Sequence, residues 1–277
     1  MKIQNEIITS RQNPTVKWAA SLADKKGREE ERSFIAEGIK LTLEAASAGL
    51  PVTKVFLSEA KREQYFSKLV DAFSGQNYEK TELITVSESA FSKISTEKAP
   101  EGVISVIKYL DFFEELNIIY KEDFFISPSE RAIMLCSVRD PSNLGSVIRS
   151  SVAFGVDHIV LTSDCADLYN PKTVRSAMGS LFRVKATVVS DVHSFIKAAN
   201  GVGRRIFAAE LSERAVSLSD VDVNSTDIFM IGNEGHGIPT EISDKCNGSV
   251  YIPISKKTES LNASVAAAIF MWEQTKS

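Results

Sequence analysis

The order of apolar and polar positions along this 277-residue chain changes period many times, and each change marks an element. Asn13-Pro14 breaks the chain, and Val16 to Leu22 reads as a helix. Phe34 to Ala48 runs from a short strand or turn into an Ala/Leu/Glu-rich helix, stopped by Gly49-Leu50-Pro51. Val52 to Leu57, rich in β-branched and aromatic residues, predicts a strand. Tyr65 to Phe73 predicts a helix, Leu83 to Val86 a short strand, Phe91 to Ser95 a helical turn and Val103 to Tyr109 a strand. This alternation points to a small three-layer α/β unit over residues 1–109.

Residues 110–131 break the pattern. They are acidic, hold four phenylalanines and carry Ser127-Pro128-Ser129, so they read as a connector that packs on something. From 132 the alternation returns. Strands are expected at 132–138, 157–161, 184–189, 205–209, 227–231 and 249–252. Helices are expected at 143–154, 171–180, 192–199, 239–246 and 261–274. Such spacing implies a mostly parallel sheet with helices on both faces. Ligands bind such sheets outside the carboxyl ends of the strands. The unusual residues lie at those ends: Arg139 to Asn143, Ala209-Glu210, Gly232 to Gly237 and Pro253 to Ser260.

Composition narrows the picture. Hydrophobic content of 43% and charged content of 25% fit an ordinary globular protein. No apolar run approaches the ~20 residues that span a bilayer. The start shows no secretory h-region, so a cytoplasmic, membrane-free protein is expected. Three scattered cysteines and three scattered histidines argue for reduced thiols and against a metal site. The net charge of −4 excludes a wholly basic nucleic-acid binder. It is unevenly spread: residues 1–110 hold 16 Lys+Arg against 15 Asp+Glu, and the remainder 16 against 21. Basic residues gather near the start, either as a local RNA contact or as a solvated helix face.

Three loops carry candidate chemistry. In RDPSNLGSVIRSSVAFG (139–155), Asn143 opens a helix as a cap or a site residue, and Arg149 is its lone charge. IGNEGHGIP (231–239) has the order G-x-x-G-x-G, which is not the dinucleotide fingerprint, and Glu234 would repel a pyrophosphate. A cationic or neutral ligand suits it better, with glycines letting backbone approach closely. His236 is there either a base or a turn residue. In IPISKKTESLNASVAAAI (252–269), Ser260-Leu261-Asn262 opens a helix of small residues.

Together these loops resemble, in order, spacing and context, the three motifs of the SpoU (TrmH-like) branch of the SPOUT RNA methyltransferases. YNPKTVRSAMGSLFRV (169–184), with Arg175, fits too, and ITSRQNPTVKWAASL and FIAEGIKLTLEA resemble the family's substrate-binding domain. The resemblance implies three regions: an RNA-binding α/β/α domain like small ribosomal proteins (1–109), a connector (110–131) and a SPOUT domain with a deep trefoil knot (132–277). It implies S-adenosylmethionine as cofactor, held largely through backbone at Gly232, Ile252 and Leu261. It implies a homodimer, packed partly through the motif-one and final helices, with a site drawn from both subunits. Transfer would go to a ribose 2′-hydroxyl of RNA, ribosomal RNA before transfer RNA. Arg149 would lie nearest that hydroxyl and grip the target phosphate. Asn143 would orient Arg149 or the ribose, and Glu234 would hold the arginine. Ser260 and Asn262 would position substrate and close the cofactor loop. Arg11, Asn13, Lys17 and Arg175 would contact RNA. Two rivals remain: an RNA-binding protein on an inactive SPOUT scaffold, and a Ser/His hydrolase using His236, for which no G-x-S-x-G is present.

Overall fold

The computed structural model describes residues 1–110, 113–116 (backbone only), 126–127, 129–255 and 257–276. The expected packing of the four connector phenylalanines lies outside the described residues. Two compact units form: residues 1–110 with 167–182, and residues 111–166 with 183–277.

In the first unit β1 (Lys2–Ile3) precedes α1 (Pro14–Ser21), α2 (Lys25–Glu31), β2 (Ser33–Glu37) and α3 (Ile39–Ser47). Then come β3 (Val52–Ser58), α4 (Arg62–Ala72), β4 (Glu82–Val86), α5 (Glu88–Ile94) and β5 (Val103–Lys108). The sheet order is β1-β4-β3-β5-β2; β5 runs antiparallel to both neighbours, and the other pairs are parallel. Alternate strand residues Ile35, Phe56, Ile84, Ile104 and Val106 face Val16 and Ala19 of α1 and Phe91 and Ile94 of α5. On the other face Thr42 of α3 donates to Ser105 of β5 at 3.2 Å. The three layers expected from the alternation are therefore present. α1 begins where it does because Pro14 needs no donor partner and Asn13 accepts from the Thr15 N–H at 2.9 Å.

The second unit takes β6 (Phe113–Leu116), β7 (Ala132–Leu135), α6 (Pro141–Ala153) and β8 (His158–Thr162). After the helix α7 (Pro171–Ala177) follow β9 (Lys185–Val189), α8 (Val192–Gly201), β10 (Ile206–Ala209), β11 (Val216–Ser217) and β12 (Ile228–Ile231). α9 (Thr240–Ser243), β13 (Gly248–Tyr251) and α10 (Ala263–Gln274) end it. The eight strands lie in the order β11-β13-β10-β12-β7-β8-β9-β6, and every pair is parallel. Met134, Val160, Ala208 and Met230 pack with Phe195, Ile196 and Ala199 of α8 on one face. Phe229 stacks on Phe270 of α10 on the other, centroids 4.7 Å apart. Burial on both faces explains why these strands are apolar throughout and do not alternate.

α7 belongs with the first unit. Asp167 takes the buried Arg28 guanidinium, Tyr169 stacks on Tyr109 at 4.0 Å, and Arg175 pairs with Glu97. Two expectations need correction. The helix expected over 239–246 shrinks to Thr240–Ser243, because Asn247 is pulled into the sheet: its N–H donates to the Ile206 carbonyl at 2.7 Å, and its side-chain oxygen accepts from the Ile206 N–H at 2.6 Å. The region taken as a connector supplies β6, an added edge strand beside β9. Among the described residues no helix is long and apolar enough to cross a membrane. Burial pushes the Cys136 thiol up to about 11 and that of Cys246 to about 12, so both stay protonated and unreactive at neutral pH.

His158, at the start of β8, is buried and bonded through Nε2 to Thr187 Oγ1 at 2.8 Å. Burial lowers its pKa to about 4 and outweighs nearby Glu130, which raises it. Above the unfolded value of about 6.5 both states hold a neutral ring and pH has no effect. Between about 6.5 and 4 the unfolded chain takes up a proton that the folded one refuses, so stability falls with pH across that window, by about 3 kcal/mol in all. His158→Gln should flatten that part of the pH–stability curve. An unchanged slope would remove His158 as its source.

Candidate active site

The site forms where the loops after β7, β10, β12 and β13 meet. Asp140, not Asn143, caps α6: its carboxylate accepts from the N–H groups of Ser142 (2.6 Å) and Asn143 (3.1 Å), beside Pro141 in the first turn. This frees the Asn143 carboxamide, which works at both ends. Its Nδ2 donates to Glu234 Oε1 at 2.5 Å, and its Oδ1 accepts from Asn262 Nδ2 at 2.9 Å. Asn262 in turn caps α10, its Oδ1 accepting from the N–H groups of Ser264 (2.9 Å) and Val265 (3.4 Å). One amide thus ties together three loops far apart in sequence.

The loop after β12 folds back on itself. Asn233 and Gly237 exchange backbone hydrogen bonds, at 3.1 and 2.9 Å. The Asn233 side chain accepts from the N–H groups of Gly235 and His236 and donates to the Ser137 carbonyl at 2.8 Å, which anchors the loop to the end of β7. Gly237 has φ +66°, where a side chain strains the backbone, and a Cβ on Gly232 would sit 2.5 Å from the Gly237 carbonyl carbon and force a shift.

Beside this loop lies a cavity of about 510 Å³, a size that suits a small molecule. Of the residues singled out in sequence, Gly232, Glu234, Ile252, Ser260 and Leu261 line it. Asn143 and Asn262 brace it. Three carboxylates, Glu210, Glu234 and Glu259, face it, and among the described residues no lysine or arginine does. A phosphate-bearing ligand would be repelled and a cation welcomed. Glu210 lies at a strand end marked in the sequence, but its chemistry was not anticipated. Nor was the anchoring role of Asn233, legible only as an amide within a glycine-rich turn.

Arg149 stands apart. It is exposed, does not line the cavity, and has no hydrogen-bond or ion-pair partner among the described residues. Six residues along α6 place it about 9 Å from Asn143 along the axis and about 120° around it. Within one chain the Glu234 carboxylate accepts from Asn143, and the expectation that it holds Arg149 belongs to the two-subunit site proposed below. His236 is exposed, and no hydrogen bond joins its ring to a hydroxyl among the described residues. Of the residues assigned to RNA, Arg11 and Lys17 are exposed, Asn13 caps α1, and Arg175 pairs with Glu97 in the first unit.

The description "SpoU rRNA Methylase family" matches residues 130–272, just over half of the chain and all four of these loops. The chain belongs to the SpoU rRNA methylase family. A second family, the MRM3-like substrate binding domain, matches residues 13–105, within the first unit. Among named relatives, the 23S rRNA (guanosine(2553)-2'-O)-methyltransferase RlmP of Bacillus subtilis is 27% identical over 265 residues, 96% of this chain and 97% of that one. The 23S rRNA (uridine(2479)-2'-O)-methyltransferase of Streptomyces viridochromogenes is 27% identical over 277 residues, 97% of this chain and 91% of that one. The AdoMet-bound rRNA methyltransferase of Sinorhizobium meliloti superposes with a TM-score of 0.81 at 27% identity, over 99% of this chain and 98% of that one. The resemblance drawn from the three loops is borne out, as is the fold of a parallel α/β methylase behind a substrate-binding unit.

Proposed function

We propose that this SpoU methylase transfers a methyl group from S-adenosylmethionine to a ribose 2′-hydroxyl of large-subunit ribosomal RNA. The observation that carries the reading is the acidic cavity, braced by the Asn143–Glu234 and Asn143–Asn262 bonds. It fits a ligand with a sulfonium and an ammonium, and both named relatives act on 23S rRNA at a 2′-oxygen.

The cofactor supplies, when bound, a methyl group already activated by the positive charge on sulfur. The chain must do the rest: hold, align and assist loss of a proton. Backbone at Gly232, Ile252 and Leu261 holds, and Glu234 and Glu259 favour the positive charge. Ser260 lies at the rim, its carbonyl accepting from Thr258 Oγ1 at 3.2 Å. Arg149 grips the phosphate of the target nucleotide and lowers the energy of the developing oxyanion. It is no general base, because a guanidinium keeps its proton to about pH 12 and beyond. Arg11 and Lys17 supply RNA contact on the first unit, where shape and unpaired nucleotides are read.

Homodimerisation belongs to the same proposal. Ser150, Phe154, Val265, Ala268, Ile269 and Trp272 form a shallow groove on α6 and α10. Val265 is 48% exposed and Trp272 52%, an apolar face that water does not favour. Arg149 precedes Ser150 on the exposed side of α6 and does not line its own cavity. Pairing through α6 and α10 would deliver it to the partner's cavity. A trefoil knot is also part of the proposal, supported by the path of the chain: β13 lies beyond β10, yet α10 returns to pack on β12 and α6.

The test is titration calorimetry with S-adenosylmethionine, then radiolabelled methyl transfer to ribosomal and transfer RNA. The expected result is binding by a species that sediments as a dimer, with label in 23S rRNA at one alkali-resistant linkage. Label in transfer RNA alone would overturn the substrate. Binding of RNA without cofactor binding or transfer would leave an inactive scaffold.

A further inference from the structure

Glu210 directly follows β10, its N–H donating to the Val250 carbonyl at 3.1 Å, and it lines the cavity. Its carboxylate is used unevenly. Oε1 accepts from Ser249 Oγ (2.6 Å), Ser212 Oγ (3.1 Å) and Arg214 Nη2 (3.3 Å). Oε2 takes no donor among the described residues, and it is not among the buried polar atoms left without a partner. Ser249 is buried, and Arg214 is itself tied to Ser243 Oγ at 2.7 Å and to Asp244. The carboxylate is therefore clamped by one oxygen and presents the other. Burial pushes its pKa up, but the bonds from Ser249, Ser212 and Arg214 outweigh that and hold it below the usual carboxylate range.

The part of the cofactor that Glu210 meets follows from the strand order. On the proposed reading, in which Asn143 and Glu234 serve the reaction, the reacting methyl lies on the β7–β12 side. β10 is the next strand out, about 4.8 Å further, so Glu210 faces another part of the molecule. Arg214 beside Oε1 already satisfies much of the negative charge, which disfavours a second cation there. Glu234 takes only an amide donor, and Glu259 takes none among the described residues. Those two suit the ammonium and the sulfonium. A neutral hydroxyl donor suits Glu210.

Resting on the proposed cofactor, we infer that Glu210 is a positioning residue whose free Oε2 accepts from a ribose hydroxyl of the adenosyl group. One charge-assisted hydrogen bond of this kind changes affinity about ten- to a hundredfold. The experiment measures calorimetric affinity of the full chain for S-adenosylhomocysteine and for its 2′,3′-dideoxyadenosyl analogue. Wild type, Glu210→Ala and Glu210→Gln are compared, with thermal melting as the check that each folds. Glu210→Ala should weaken S-adenosylhomocysteine at least about tenfold and leave the dideoxy analogue no weaker than in wild type. Glu210→Gln, which keeps an acceptor but not the charge, should fall between and serves alone if alanine does not fold. Equal losses for both ligands would place the contact elsewhere and overturn the inference, as would unchanged affinity for S-adenosylhomocysteine. Failure of the wild type to bind either ligand would overturn the cofactor reading, and this inference with it.

Discussion

Arg149→Ala is expected to bind S-adenosylmethionine as the wild type does and to transfer methyl at least about a hundredfold more slowly. The binding half follows from position: Arg149 does not line the cavity, and among the described residues it has no hydrogen bond or ion pair. The folding half follows from exposure, since an exposed side chain without partners contributes little to stability. The rate half follows from charge. Removing a donor aimed at developing negative charge costs orders of magnitude, because nothing else in the site replaces it. Among the described residues no arginine or lysine lines the cavity. Arg149→Lys should recover only part of the rate, because an ammonium cannot grip a phosphate with two parallel hydrogen bonds. Single-turnover transfer with saturating cofactor is the measurement. A near-normal rate for the alanine variant would remove Arg149 from the chemistry. A mixed dimer of Arg149→Ala with a variant carrying an altered cavity, Gly232→Val, separates the two placements. If the arginine serves the partner, one of the two sites regains both parts.

Arg28→Ala is expected to cost the first unit about 3–5 kcal/mol. Arg28 is 1% exposed. Its Nη2 and Nε reach Asp167 Oδ2 at 2.5 and 3.2 Å, and its Nη1 donates to the carbonyls of Leu22 (3.0 Å) and Ala23 (2.7 Å). Alanine would leave Asp167 Oδ2 and two carbonyls without the guanidinium, with Oδ1 still held by the Tyr169 N–H, and open a cavity where the side chain lay. Urea unfolding in a Trp272→Phe background, with Trp18 as reporter, follows the first unit alone. A loss under about 1 kcal/mol would mean that water replaces the guanidinium freely. Arg28→Leu combined with Asp167→Leu should cost less than the sum of the single changes, since the pair is removed together.

Strand legibility tracked length and burial. VISVIKY and AIMLCSV announce themselves because burial on both faces demands strongly apolar runs, broken only by Ser105 inside the first strand. β1 and β11, two residues each, carry no period at all. β6 was hidden because its pairing with β9, some seventy residues on, is a property of the sheet and not of the segment. The site was legible as a set of loops, since amides, acids and glycines crowd the strand ends. Its wiring was not. Asn143 meets Asn262 across 119 positions, and no local pattern encodes that. Six residues put Arg149 about 120° around α6 from Asn143, so within one chain the two do not meet the same carboxylate, and no local pattern says which copy's cavity the arginine serves. Glu210 could be placed at its strand end, but its meaning depends on Ser249 and Arg214, which arrive from other segments.

The loan of residues 167–182 to the first unit bears on how such a protein can be inherited. A gene exchange that replaced residues 1–110 as a block would bring in a new unit lacking the matching acid for Arg175 and the matching base for Asp167. Both ion pairs join the leading segment to a piece encoded far downstream. The two halves of this chain are therefore not interchangeable modules. A swap that works must move the crossover between β8 and β9 along with the N-terminal block.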